Sequence, residues 1–322
     1  MSIRQLAVAV LATAIVTASG GSASAQLKGD YVPGFTGLQN GSQGPPGINV
    51  VLPIYFYTTD TIKDDNGDTL GVNPRVNASL IAPGVTWVTN LKILGANWGG
   101  QALPLAFMKS RIEGNSLDVP GSFEFSDLFF QPLQLGWHKP RADYTVGWAF
   151  FAPTGKWELG GKDNGGLGQW AYLFQAGTTL RLDDKRAWTT SLLASYEIHS
   201  HKKDSDLKTG DTLTLEGGTG KTFYKKVEGT PIPQITNFGL VYYGQFKVTS
   251  DSGLFGTAIL DEHKDHVFGV GLEGSIFLPK PKLLFGLRVV PEFGAHTRPQ
   301  GVTVMLTMAW EAKSLVKMPP QP

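Results

Sequence analysis

Between residues 187 and 296 apolar and polar side chains alternate with a period of two, the signature of strands with one face in an apolar environment. In "AWTTSLLASYEIH", Trp188, Leu192, Ala194, Tyr196 and Ile198 share one face, and Thr189, Ser191, Ser195, Glu197 and His199 the other. "TNFGLVYYGQFKV" sets Phe238, Leu240, Tyr242, Phe246 and Val248 against Asn237, Gly239, Tyr243, Gln245 and Lys247. "HVFGVGLEGSIFL" sets Phe268, Val270, Leu272, Ile276 and Leu278 against Gly269, Gly271, Glu273 and Ser275. In "LLFGLRVVPEFGAH", Leu283, Phe285, Leu287, Val289 and Phe293 oppose Gly286, Arg288, Glu292, Gly294 and His296. These segments run to about ten residues or more, beyond the usual globular strand of about five or six. A tilted strand needs roughly nine to eleven residues to cross a bilayer.

The pattern predicts about twelve strands, over 47–59, 70–82, 85–95, 122–136, 141–152, 168–182, 187–199, 211–225, 234–250, 265–279, 283–296 and 300–310. Residues 97–120 read as an extended external loop or as an extra hairpin that would raise the count to fourteen. Short links ("APG", "HKPR", "DDKR", "PKPK") alternate with long polar ones ("TDTIKDDNGDT", "PTGKWELGGKDNGG", "SHKKDSDLKTG", "SDSGLFGTAILDEHK"). Short periplasmic turns alternating with long external loops mark an outer-membrane barrel, and an even strand count puts both termini on the periplasmic side. Closure follows from the solvent. An open sheet edge in hydrocarbon leaves backbone groups unpaired, at several kcal/mol each. The expected fold is therefore all-β, a transmembrane antiparallel barrel, with Trp137, Trp157, Trp170, Trp188 and Trp310 as candidates for its interfacial girdles.

The first 25 residues carry Arg4, the apolar run "LAVAVLATAIVTA" and the small-residue site Ala23-Ser24-Ala25, which together read as a cleaved secretory signal peptide. The run is too short to span a membrane. Removal of the leader takes away Arg4 and no acidic residue, so the mature chain has 27 basic and 27 acidic groups. That balance gives no nucleic-acid footprint. Zero cysteines exclude disulfides, thiolate metal sites and lipid attachment through an N-terminal cysteine.

Several motifs invite chemistry and resist it. "LEGGTGKTF" looks like a phosphate loop, yet Leu215 stands where the first glycine of G-x-x-x-x-G-K-[ST] belongs, and a two-faced strand precedes it. "DDNGD" at 64–68 starts like a calcium loop, but Gly67 comes two places early and Arg75 occupies the closing acidic position. "HSH" at 199–201 offers two imidazoles and no third placed ligand. The histidines at 138, 199, 201, 263, 266 and 296 flank no serine motif of a hydrolase. The expectation is a non-enzyme with no cofactor and no metal.

The stretches "GDYVPG", "ADYTVGWAFFAPTGKW" with "NGGLGQW", "YEIHSHKKDSDLKTGDTLTLEGGTGKTF", "NFGLVYYGQFKVTSDSG" and "RVVPEFGAHTRPQGVTVMLTMAW" occur in this order over almost the whole mature chain. In that order they resemble the family of outer-membrane transporters named after the meta-cleavage pathway of phenol degradation, similar in architecture to the fatty-acid and aromatic-hydrocarbon channels. The resemblance implies passive passage of small hydrophobic compounds, aromatic ones among them. It carries no substrate site.

The expected layout is a signal peptide over 1–25, a Gly/Pro-rich segment over 26–46, a barrel over 47–310 and a tail over 311–322. With the apolar faces toward lipid, Asp143, Arg181, Glu197, Glu216, Lys247, Glu273, Arg288 and Glu292 point into the lumen. There they form a structural ion-pair network or line a permeation path, since an unpaired buried charge is costly. Segment 26–46 is either a lumen plug or a disordered periplasmic lead-in. Expected partners are outer-membrane lipids and lipopolysaccharide, the barrel assembly machinery and a small hydrophobic solute, with no nucleic acid. A general polar porin, a structural barrel and a phospholipase-type barrel hydrolase are the rival functions.

Overall fold

The computed structural model describes residues 29–316 except 71–74, 115–116, 120, 122, 160, 162–163, 256–257 and 260–263. The leader, His263 and the end of the tail lie outside the described residues. The strands are β1 (Gly47–Ile62), β2 (Arg75–Ile81), β3 (Gly84–Ile93), β4 (Ala96–Leu103), β5 (Phe107–Gly114), β6 (Leu117–Val119), β7 (Glu124–Phe125), β8 (Leu128–His138) and β9 (Ala142–Ala152). They continue as β10 (Ala171–Arg181), β11 (Trp188–His199), β12 (Thr212–Lys225), β13 (Gln234–Lys247), β14 (Leu254–Phe255), β15 (Ala258–Ile259), β16 (His266–Leu278), β17 (Leu283–His296) and β18 (Pro299–Ser314).

Twelve of them, β1, β3, β4, β8 to β13 and β16 to β18, pair antiparallel in that order, and β18 pairs back onto β1 to close a barrel. Gly47 lies opposite Ser314. Both ends of the barrel chain therefore sit at the same rim, the rim that also carries the "HKPR", "DDKR" and "PKPK" links. Strands β14 and β15 form a separate two-stranded ribbon in the 248–265 connection.

The count of twelve matches the expectation, but by a different route. "APG" is not a turn. Both β2 and β3 pair with β1 in one continuous register, Ile81 opposite Ile54 and Val88 opposite Gly47. They are a single strand interrupted at Ala82-Pro83, where proline has no N–H to give the ladder. The turn falls at Leu94 and Gly95, both with positive φ (50° and 80°), the backbone of a two-residue hairpin. Residues 97–120 are not an extended loop, and the short hairpin of β5 and β6 within them, Gly114 opposite Leu117, adds no strand to the closed circuit, so the count stays at twelve and not fourteen. The segment holds β4, which pairs with β3 and β8, and beyond Pro104 its continuation β5, which pairs with β2. Short β6 and β7 both pair with β5. The last strand likewise runs to Ser314, past the predicted end at residue 310.

The faces follow the alternation. Phe238, Leu240 and Leu272 are at least half exposed, whereas Glu216, Glu197, Thr214 and Ser195 on the opposite faces are almost wholly buried. Apolar outside and polar inside is the arrangement of a barrel whose exterior solvent is lipid. One position departs. Gly294 (φ 59°) lies at an irregularity in the β16–β17 ladder, where an extra residue flips the alternation. Ala295 is thereby buried, and His296 stacks on His266, 4.4 Å between ring centroids, beside the outward Phe268 and not in the lumen.

Trp170, Trp188 and Trp310 are exposed on the outer surface near strand ends, as interfacial aromatics should be. Trp137, opposite the outward Tyr144 near the end of β8, shares that surface and donates its Nε1–H to the Leu94 carbonyl, whereas Trp157 lies in the 153–170 connection near the Lys202 ammonium.

Candidate functional site

The interior is shaped by residues 29–46, which run inside the barrel before β1 begins. With glycines and prolines at 33, 34, 37, 41, 44, 45 and 46, this segment cannot pair as a strand and presents backbone donors to the wall instead. Glu197 Oε1 accepts the N–H groups of Asp30 (2.8 Å) and Tyr31 (3.0 Å). Glu216, with no exposed surface, accepts the Tyr31 hydroxyl (2.5 Å), the Gly34 N–H and the Thr36 hydroxyl (2.6 Å). Glu273 accepts the Leu38 N–H (3.1 Å), Arg288 donates to the Gly34 carbonyl (2.7 Å), and Asp143 accepts the Ser42 hydroxyl (2.7 Å).

The phosphate-loop lookalike is part of this seat. Residues 215–223 lie within β12, where Gly218 and Gly220 face inward. With Gly239 of β13 they form a floor against Leu38, whose Cδ2 lies 2.9 to 3.0 Å from where a Cβ on any of the three would stand. A side chain at these wall positions would occupy the place of the plug.

The eight charged residues singled out from the alternation all sit on inner faces, and five of them (Asp143, Glu197, Glu216, Glu273 and Arg288) hold the plug. Arg181 pairs with Asp143 at 2.8 Å, and Arg288 with Glu273 at 2.7 Å. Lys247 pairs with Asp251 (2.9 Å) and Asp265 (3.1 Å) in the 248–265 connection after β13. Glu292 accepts the hydroxyls of Tyr57 and Tyr243 and the Gly301 N–H.

Between the plug and the β2–β10 side of the wall lies a cavity of about 210 Å³. Tyr31, Phe35, Leu103, Met108, Phe129 and Phe151 give it an apolar body. Glutamines at 101, 131, 134 and 175 and Asn40 add a few polar groups. Gln131 donates to Gln175, which donates to Ser195, so two of these amides are committed to each other and the wall. Asn40 differs. Its Nδ2 is spent on Thr36 and the Glu216 carbonyl, and its buried Oδ1 has no partner. The wall strands on this side are interrupted at the same level, and Ala82, Ala106, Ser126 and Asp127 at the interruptions all border the cavity.

One edge of the cavity is strongly charged. Burial, and then the neighbouring Glu197 and Asp127, push the Asp30 carboxyl well above the usual carboxylate range. Burial also raises Asp127, although the Leu167 and Gly155 N–H groups donate to it. Lys202, in the connection after β11, is brought down to about 8 by burial, against the opposing pull of Asp30 and Asp127. Its ammonium donates to the Leu167 carbonyl at 2.7 Å.

The "HSH" pair does not converge. His199 is buried beside Glu197, while His201 is exposed in the loop. Asp30, on the plug, comes within 4.8 Å of Glu197 and His199, a neighbour that sequence reasoning missed. The only local signal was Glu197 and His199 two apart on one strand face. "DDNGD" folds as a turn in which Asp64 Oδ1 accepts the N–H groups of Asn66 and Asp68.

The fold can be compared with solved structures. The COG4313 outer membrane channel from Pseudomonas putida F1 superposes with a TM-score of 0.68 at 13% identity, over 87% of this chain and 99% of that one. The β domain of the Bordetella autotransporter BrkA gives 0.47 at 8% identity, over 82% and 99% of the two chains. At 13% identity the first likeness is one of fold, that of an outer-membrane barrel. No curated protein matches the chain. Residues 59–308, most of the sequence and nearly the whole barrel, match the family model described as "Putative MetA-pathway of phenol degradation", and the chain belongs to that family.

Proposed function

We propose that this protein is a bacterial outer-membrane channel for passive uptake of small hydrophobic compounds, single-ring aromatics among them, with both termini on the periplasmic side. The observation that carries the reading is the apolar cavity inside the barrel. Its 210 Å³ exceeds the roughly 150 Å³ of an engineered apolar cavity that takes up benzene. Asn40 Oδ1, a buried acceptor without a partner, suits a solute hydroxyl, since a polar group left unmatched is the one a ligand is selected to satisfy. The plug argues against a general polar porin, which requires an open aqueous bore. In this reading the plug gates the lumen, and the charged inner residues serve mainly to hold it, those nearest the cavity also bordering the path.

Equilibrium binding tests it. Calorimetric titration of the folded barrel with phenol should show saturable binding to one site. Ala106→Trp, which fills the cavity from a buried lining position, should weaken it by at least about tenfold, or ~1.4 kcal/mol. No saturable binding, or binding indifferent to the filled cavity, would contradict the proposal.

A further inference from the structure

Asp30, Glu197 and His199 bring one oxygen, one oxygen and one nitrogen within 4.8 Å of one another, two from the β11 wall and one from the plug. Three features set the cluster apart from an ordinary ion pair. First, the His199 side chain is completely buried, and neither ring nitrogen has a hydrogen-bond partner. A buried imidazole normally satisfies at least one of them. Second, His199 Nε2 lies 3.2 Å from Glu197 Oε1 without hydrogen-bond geometry, and Glu197 Oε2 is also buried and unpartnered. Glu197 Oε1 is already taken by the Asp30 and Tyr31 N–H groups, so Oε2 and the imidazole are the atoms left open to an ion. Third, residue 29 is a glycine. A Cβ there would stand 2.7 Å from Glu197 Oε2 and 3.2 Å from His199 Nε2, so its lack of a side chain keeps open the space that both free atoms border.

We infer that Asp30, Glu197 and His199 form a site for a divalent first-row transition ion, of the zinc type, which staples the plug to the barrel wall. The donor set selects the class. Imidazole with two carboxylates suits zinc or manganese, whereas calcium and magnesium prefer oxygen-only shells. Such an ion offsets the burial of two carboxylates in a desolvated interior, and the ligand atoms, within 4.8 Å of one another, draw together to reach bonding distance. Metal binding is independent of which solute the barrel admits.

The test is metal content and affinity of the folded, full-length barrel in detergent, stripped with a chelator and titrated with zinc, manganese, calcium and magnesium ions. The expected result is one zinc or manganese ion per barrel, with calcium and magnesium far weaker. His199→Ala should reduce zinc affinity by more than about 100-fold, beyond the range that loss of a merely supporting group produces. Gly29→Ala leaves all three ligands in place and should also weaken binding, an effect a simple ion pair would not show. Heat-modifiable migration on a gel confirms that each variant has folded. Wild-type barrel that takes up no zinc, or zinc binding equal in wild type and both variants, would overturn the assignment. So would calcium binding as tight as zinc.

Discussion

The Tyr31 hydroxyl donates to Glu216 Oε2 at 2.5 Å, joining two residues 185 positions apart and fixing the start of the plug to the middle of β12. Glu216 has no exposed surface and gathers three plug donors, so each is worth more than a surface hydrogen bond. Tyr31→Phe should leave the barrel folded, cost about 1–3 kcal/mol of plug attachment, and raise amide exchange across residues 29–46. Hydrogen exchange by mass spectrometry reads this directly. Unchanged protection of the segment would show that the contact does not hold it.

Leu38 should behave as a peg. Leu38→Ala removes the side chain that lies on Gly218, Gly220 and Gly239. Burial of a leucine is worth about 2 kcal/mol or more. The expected outcome is a larger single-channel conductance in planar bilayers with the same unfolding midpoint for the barrel itself. Conductance equal to wild type would place the block elsewhere.

Glu273 and Arg288 should be strongly coupled, since they pair at 2.7 Å with little exposure and both also hold the plug. Arg288→Met leaves a buried carboxylate unpaired and should cost about 3–5 kcal/mol. The double variant Glu273→Gln with Arg288→Met should recover a substantial part of that loss. Urea titration of the four proteins in liposomes gives the coupling energy, and additive losses would contradict it.

Lys202 predicts an alkaline gain in stability. Its ordinary value of 10.5 applies to the unfolded chain, and burial brings it to about 8 in the fold. Below about 8 both states carry the proton and the folded loop bears the full cost of the buried charge, about 3 kcal/mol. Between about 8 and 10.5 the unfolded state binds more protons, so stability rises with pH; above 10.5 the effect is complete. Lys202→Met should remove this rise, read as the difference between the two proteins' stability–pH curves. Parallel curves would contradict the assignment.

The sequence announced the barrel because alternation survives wherever a strand has lipid on one side and polar interior on the other, as in β11, β13 and β16. It concealed β4, where Gly99 and Gly100 interrupt the alternation and Pro104 imitates a boundary. Ala82-Pro83-Gly84 carried a turn signal for the same reason, although the continuous pairing with β1 makes it a break within one strand. Gly294 shifted His296 by one place, which a period of two cannot foresee. The interior charges were legible as inward, but not the plug contacts that most of them make. Asp30 lies in a segment with no period at all, and only the folded barrel brings it to Glu197 and His199.

The central claim is selective passage of small apolar solutes, and permeation tests it most directly. The protein would be reconstituted in liposomes with a lipopolysaccharide-containing outer leaflet, and entry of a labelled single-ring aromatic compared with that of a sugar of similar size, each corrected by protein-free vesicles. The account predicts acceleration of the aromatic with little effect on the sugar, and loss of that acceleration in Ala106→Trp. Faster entry of the sugar, or acceleration of neither solute, would contradict it.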